Sequence, residues 1–299
     1  MNYKQLGKSD ISISTIGFGC MSLKNDGLEN ERILHEAIDL GINYFDTADL
    51  YDKGMNEVLV GKALKAEREK VIIATKVGNQ WREDGSISGW NPRREYILSA
   101  VEESLRRLQT DYIDLYQLHG GTIDDPTEET IDAFETLKKQ GKIRYYGISS
   151  IRPNVIKRWV ELSNMVSVMM QYSLLDQRPA ENCLELLANH NISVLARGSV
   201  ASGLLVDKPA KTYLNYSEVQ VQQAAEAIKK LSGSQRTPAQ TAIQFVLSHS
   251  AITSSVVGIR TLDQLKEAVE TIQVAQLTLE EKEELAGAIE ANYYKEHRE

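Results

Sequence analysis

Cysteine is scarce in this chain of 299 residues: Cys20 and Cys183 are its only two, and no CxxC pair occurs. A disulfide framework is excluded, and a reducing compartment is the expected setting. Positive charge is also in deficit. Lys and Arg number 34 against 42 Asp and Glu, a formal net charge of -8. That balance argues against a nucleic-acid or anionic-membrane partner, although a local basic pocket stays open. Long apolar runs are missing, since nothing approaches the roughly 18 residues of a membrane span. The opening Met1-Asn2-Tyr3-Lys4-Gln5 has no signal-peptide character. The expectation is a cytoplasmic protein. No Ser/Pro-rich linker or composition break interrupts the chain, so one domain over 1–299 is expected, with a monomer as the default state.

What the chain does have is alternation. Residues 3–14 read as a hairpin around the turn tetrapeptide Gly7-Lys8-Ser9-Asp10. Strands are then expected at 16–19, 43–48, 71–77, 112–119, 143–149, 165–171, 193–197 and 254–259. Helices are expected between them at 30–40, 55–65, 93–107, 127–139, 153–162 and 180–189. The first helix carries Ile33, Leu34, Ala37 and Ile38 on one face, and Gly41 closes it from the C′ position. Eight short apolar strands alternating with helices specify an α/β protein, a closed (β/α)8 TIM barrel rather than an open doubly wound sheet. Three segments exceed the repeat. One is a long connection at 78–92, with Trp81 and Trp90. The second, 198–236, holds a loop and an extra helix at 217–231. The last is a C-terminal helix at 278–292, opened by the capping box Thr278-Leu279-Glu280-Glu281.

Three strands end on chemistry rather than packing: one at Asp46, with Tyr51 just beyond it, one at Lys76 and one at His119. The carboxyl ends of parallel strands are where barrels and doubly wound sheets do chemistry. Carbonyl reduction needs a hydride donor and a proton for the developing alkoxide. A phenol gives that proton well when an ammonium lies beside it, a carboxylate keeps the ammonium charged, and an imidazole can hold the carbonyl oxygen. No protein nucleophile or metal is required, and His119 has no second histidine to complete a metal site. Each residue also has a plainer role open to it. Asp46 can cap a helix, Tyr51 can be a rim aromatic, Lys76 a solvated strand end, and His119 a satisfied core histidine.

These residues belong to a longer pattern. It comprises Gly41-Ile42-Asn43-Tyr44-Phe45-Asp46-Thr47-Ala48 with Tyr51, Gly54-x-x-Glu57, Gly61-Lys62-Ala63-Leu64 and Ala74-Thr75-Lys76. The run Leu105 to His119, the stretch Gly141 to Ser149 and Gln171-Tyr172 continue it. From residue 3 to residue 290 the chain resembles the aldo-keto reductase family. The resemblance implies a barrel whose N-terminal hairpin closes its bottom. It further implies an oxidoreductase that uses NADPH, with NADH less favoured, to reduce small-molecule aldehydes or ketones to alcohols by hydride transfer. Tyr51 would be the general acid, tuned by Lys76 and Asp46, with His119 orienting the carbonyl. The alternative is a cofactor-binding redox sensor or regulatory subunit with little turnover.

The second half of the chain places polar groups at further strand ends. Ser149, Ser150 and Gln171 resemble the residues that hold a nicotinamide carboxamide, though Ser150 can equally form a turn or cap. The resemblance puts the backbone at Gly19, Cys20 and Met21, with Asp46, along the nicotinamide-ribose end. The stretch Gly198 to Leu205, with Ser199, Ala201 and Gly203, resembles the loop over the pyrophosphate. Gly258 and Arg260 precede a helix start, a good phosphate site, and the resemblance puts the adenosine 2′-phosphate there, near Gln264. Thr261 and Gln264 also fit a capping box. Two departures stand out: Arg197 where many relatives stack an aromatic on the nicotinamide, and Ala268 where relatives often have an asparagine at the adenine. A guanidinium can also stack on a ring.

Overall fold

A computed structural model describes residues 1–23, 27–82 and 86–298. Strands β1 (Tyr3–Gln5) and β2 (Ser12–Ser14) form the expected antiparallel hairpin. The first half of the barrel comprises β3 (Ile16–Gly19), α1 (Gly27–Asp39), β4 (Tyr44–Asp46), α2 (Met55–Leu64) and β5 (Ile72–Val77). A short antiparallel pair, β6 (Asn79–Trp81) and β7 (Ile87–Trp90), then precedes α3 (Arg94–Leu108) and β8 (Ile113–Leu118). The chain continues through α4 (Thr127–Lys139), β9 (Ile143–Ser149), α5 (Pro153–Leu162), β10 (Ser167–Gln171) and α6 (Cys183–Asn189). It ends with β11 (Ser193–Arg197), α7 (Glu218–Lys230), α8 (Pro238–Leu247), β12 (Ile252–Gly258), α9 (Leu262–Glu270) and α10 (Leu279–Gly287).

Eight strands pair in parallel in the order β3-β4-β5-β8-β9-β10-β11-β12, and β12 returns to β3 to close the barrel. The expected (β/α)8 architecture is therefore present. Strand residues alternate between two cores, as the pleat requires. Tyr44, Ala74, Leu115, Met169, Leu195 and Val256 point into the barrel. Phe45, Ile73, Tyr116, Val168 and Val194 point outward against the helices. The hairpin supplies the bottom of the inner core, because Leu6, Ile11 and Ile13 are buried there, and the Gly7 N–H donates to Ser193 Oγ at 2.7 Å. Gly41 closes α1 as expected, at a φ of +90° that only glycine adopts cheaply.

The structure departs from the sequence reading in several places. The connection at 78–92 is not plain loop but carries the β6–β7 pair, with residues 83–85 outside the described part. The helix α8 was not anticipated. Its residues Gln240 to Val246 are all buried, so it lacks the polar face that makes helical periodicity visible. The C-terminal helix stops at Gly287 rather than 292. Beyond it the Asn292 side chain accepts from Gln177 N at 2.9 Å and donates to Asn215 Oδ1 at 3.1 Å, which turns the chain toward the barrel mouth. Among the described residues no helix is long and apolar enough to cross a membrane.

Candidate active site

The site begins with a lysine that packing alone would not place. Lys76 is fully buried near the end of β5. Its Nζ donates to Asp46 Oδ1 at 2.5 Å, to the Thr47 carbonyl at 2.7 Å and to the Tyr51 hydroxyl at 3.2 Å. All three ammonium donors are thereby used, which is the condition for tolerating a buried charge. Burial is the largest single influence on Lys76 and presses it toward neutrality. Asp46 and Tyr51 together outweigh it and hold the ammonium above the ordinary lysine range. Burial likewise lifts the Asp46 carboxyl, against the pull of Lys76 and of Gln117, whose Nε2 donates to Asp46 Oδ2 at 3.3 Å.

Tyr51 reaches the lysine because the chain turns sharply after it. Asp52, Lys53 and Gly54 all take left-handed backbone conformations, at φ of 48°, 54° and 85°. Two non-glycine residues in that region store strain of about 1 kcal/mol or more each, a feature that concentrates at functional turns. His119 follows β8, and its ring meets Tyr51 edge-on with centroids 5.9 Å apart. Burial, then the charges of Lys76 and Arg197, push the imidazole down to about 3. It is therefore neutral at neutral pH, and its Nδ1 is buried without a hydrogen-bond partner. The four strand-end residues thus meet at one place.

They border a cavity of about 1220 Å³ at the carboxyl ends of the strands. Asp46, Tyr51 and His119 line it, with Lys76 fully buried beside them. Gly19, Met21, Ser149, Ser150, Gln171, Arg197, Gly198, Gly203, Gly258, Arg260 and Gln264 line it too, as does Ala268. Gly19 and Gly258 are direct neighbours on β3 and β12. A side chain at Gly258 would stand 2.7 Å from Ser22 Oγ, so Ser22 would have to move to admit one. Gln171 is engaged at both ends of its amide. It accepts from Arg197 Nη1 at 3.1 Å and donates to Tyr213 Oη at 3.0 Å. Thr261 caps α9 through Gln264 N, but the Gln264 side chain accepts from Arg260 N at 3.0 Å rather than from Thr261, so the capping box is only half formed.

Three residues expected along the cofactor do not border the cavity. Cys20 is fully buried, and its carbonyl accepts from Asn56 Nδ2 at 2.9 Å. Ser199 turns inward to Ser255 Oγ at 2.6 Å, and Ala201 is fully buried. Nor do Trp81 and Trp90 line it. Trp90 packs against Gly78 and Gly120 and donates to Asp125 at 2.9 Å. The sequence reading missed Arg152, Arg178 and Lys208, all on the cavity wall. Loop positions of this kind carry no periodic signal. The C-terminal tail reaches the cavity, where Tyr293 to His297 form part of the rim. Arg178 lies 4.9 Å over the Tyr294 ring, and the His297 carbonyl accepts from Asn154 N at 2.8 Å.

Comparison with known proteins agrees with this geometry. A sequence model of the Aldo/keto reductase family matches residues 15–290. The chain is 49% identical to an uncharacterized oxidoreductase, YqkF, of Bacillus subtilis strain 168, and the match covers 100% of both chains. The holo form of the aldo-keto reductase AKR11C1 from Bacillus halodurans superposes with a TM-score of 0.94 at 49% identity, again over 100% of both chains. The glycerol dehydrogenase AKR11B4 from Gluconobacter oxydans superposes with a TM-score of 0.85 at 25% identity, over 96% of this chain and 94% of that one. On its barrel, its strand-end residues and these matches, the chain belongs to the aldo/keto reductase family of oxidoreductases.

Proposed function

We propose that the protein is an NADPH-dependent reductase of small aldehydes or ketones in which Tyr51 delivers the proton. The observation that carries this reading is one buried ammonium in contact with both a carboxylate and a phenol, Lys76 to Asp46 at 2.5 Å and to Tyr51 at 3.2 Å. When Tyr51 gives up its proton, the negative oxygen left behind keeps a charge-assisted bond from Lys76, and Asp46 keeps that lysine positioned. His119, neutral and lining the cavity, can direct a ring N–H at the carbonyl oxygen that receives the proton. In the oxidative direction the same groups run in reverse, with Tyr51 as base.

The residues present fit a dinucleotide. A cavity of about 1220 Å³ exceeds the roughly 300–1,000 Å³ of a small-molecule pocket. Ser149, Ser150 and Gln171 offer the donors and acceptors that a carboxamide requires, and Gly19 and Gly258 leave bare backbone beside them. Arg260, with the start of α9, offers a cation and free N–H groups for a phosphate. The holo form of the Bacillus halodurans relative supports a bound cofactor in this fold. A bound nicotinamide would supply the hydride.

The test is turnover of NADPH against a panel of aldehydes and ketones, in wild type and Tyr51→Phe. The wild type should oxidise NADPH. The variant should lose about a hundredfold to ten-thousandfold in kcat while binding NADPH as before. Unchanged turnover in Tyr51→Phe removes the phenol from the mechanism. Tight NADPH binding with no turnover in the wild type makes the protein a cofactor-binding sensor instead.

A further inference from the structure

We infer that Arg152 makes this site select carbonyl compounds that carry an anionic group, a carboxylate or a phosphate, on a short carbon chain. The inference rests on the carbonyl-reductase reading above and deepens it by naming the substrate class. Arg152 lines the cavity just beyond β9. Its backbone N–H donates to Ser150 Oγ at 3.2 Å, and its Nη1 donates to the Gly121 carbonyl. Gly121 stands two residues beyond His119, and Gly120 between them also lines the cavity. The side chain therefore crosses from the end of β9, with Ser149 and Ser150, to the end of β8, with His119. If the two serines hold the carboxamide and His119 the carbonyl oxygen, the guanidinium lies beside the reacting carbonyl. Two residues of chain reach at most about 7 Å, so the anion and the carbonyl belong to one small molecule.

A guanidinium stays charged at any working pH, and its planar fork of N–H donors fits a carboxylate or a phosphate. Gly121 takes up Nη1, and among the described residues Arg152 makes no ion pair. Asp125, close to Gly121, is met by donors of its own surroundings: Trp90 Nε1 at 2.9 Å and Thr122 N and Oγ1, each at 2.8 Å. The other cations on the cavity wall are placed otherwise. Arg178 is matched by Asp176 at 2.7 Å, and Arg197 Nη1 donates to Gln171 at 3.1 Å. Lys208 lies against Gly203, in the stretch expected over the pyrophosphate, and Arg260 precedes α9. Lys295 shares the rim with Glu296. Asp46, the acid among the reacting groups, is matched by Lys76. Arg152 is thus the cation left over beside the chemistry, in a chain whose net charge is -8. An anion is drawn to that one place, whereas a neutral carbonyl that strips water from the guanidinium leaves its donors unmet.

NADPH oxidation by the purified protein with two matched pairs tests this: succinic semialdehyde against butanal, and glyceraldehyde 3-phosphate against glyceraldehyde. The wild type should favour the charged member of at least one pair by about tenfold or more in kcat/KM, and the pair that responds tells whether a carboxylate or a phosphate is read. Raising the salt from about 0.02 M to about 0.5 M should shrink that preference severalfold. Arg152→Met should bring the members to within about threefold of each other, through a raised KM for the charged one, while Arg152→Lys keeps part of the preference. No preference for the charged member in the wild type, a preference that salt leaves unmoved, or one that survives in Arg152→Met would overturn the inference. So would weaker NADPH binding by Arg152→Met in a protein-fluorescence titration, which would leave Arg152 as a brace between Ser150 and Gly121. Folded wild type that binds NADPH but turns over no carbonyl would instead overturn the reductase reading, and this inference with it.

Discussion

Three buried carboxylates, Asp46, Asp49 and Glu57, follow one another from the end of β4 into α2, yet their surroundings differ. Asp46 pairs with Lys76. Glu57 accepts from Arg107 Nε at 2.6 Å and from Thr75 Oγ1 at 2.5 Å. Asp49 has one oxygen buried without a hydrogen-bond partner. Burial, followed by the charge of Glu57, pushes its carboxyl up to about 8. Between its ordinary value of 3.8 and about 8 the folded state holds a proton that the unfolded state has lost. Stability is therefore shed as pH rises through that window. Asp49→Asn removes this dependence, so melting curves from about pH 5 to about pH 8 should show the variant gaining on the wild type as pH rises. A constant difference would mean that Asp49 does not titrate there. Arg260 gives a second prediction at this scale. Arg260→Ala should weaken NADPH binding by about tenfold and leave NADH unchanged in the same fluorescence titration, because a phosphate contact of this kind is charge-assisted. Equal losses for both would show that it does not read the 2′-phosphate.

Elements are tied together at the opposite end of the barrel by a different acid. Asp114, buried near the start of β8, accepts from Ile73 N at 3.0 Å, Arg68 Nη2 at 2.8 Å and Arg144 Nη1 at 3.1 Å. It thereby joins β5, β8 and β9. Asp114→Ala should cost about 3 kcal/mol, the low end for a broken buried pair because Arg144 is partly exposed. Denaturant unfolding with an unchanged m-value should show this as a lower midpoint, with carbonyl-reduction kinetics unaffected. Elements also differ in how legible they were. The helices α1, α3 and α4 each have a polar face, so their 3.6-residue period stands out in the sequence. The helix α8 has almost none, and its only clear mark was the start Thr237-Pro238-Ala239-Gln240, whose capping box does form. The β6–β7 pair was equally hidden, since strands this short have no readable period.

At the scale of the whole molecule, stability and chemistry sit at opposite ends of one barrel. The hairpin side chains Leu6 and Ile13 plug the bottom and are completely buried, while the cavity opens at the top. Leu6→Ala should therefore cost about 2–5 kcal/mol, yet leave kcat unchanged below the melting range. A matching loss of kcat in the fully folded variant would show that the two ends are coupled. The barrel, its strand order and the four strand-end residues were legible in the sequence, because apolar runs, glycine stops and strand-terminal polar residues are local signals. Tertiary structure alone decided what surrounds those four. Closing β12 onto β3 brings the ends of eight separate strands to one rim. Only there does Arg197 meet Gln171, does Gln171 meet Tyr213, and does the tail at Tyr293 to His297 become a wall of the site. Those partners lie far apart along the chain, on strand ends and loops without periodicity, so their meeting follows from strand pairing and loop placement in the folded barrel and not from any local pattern.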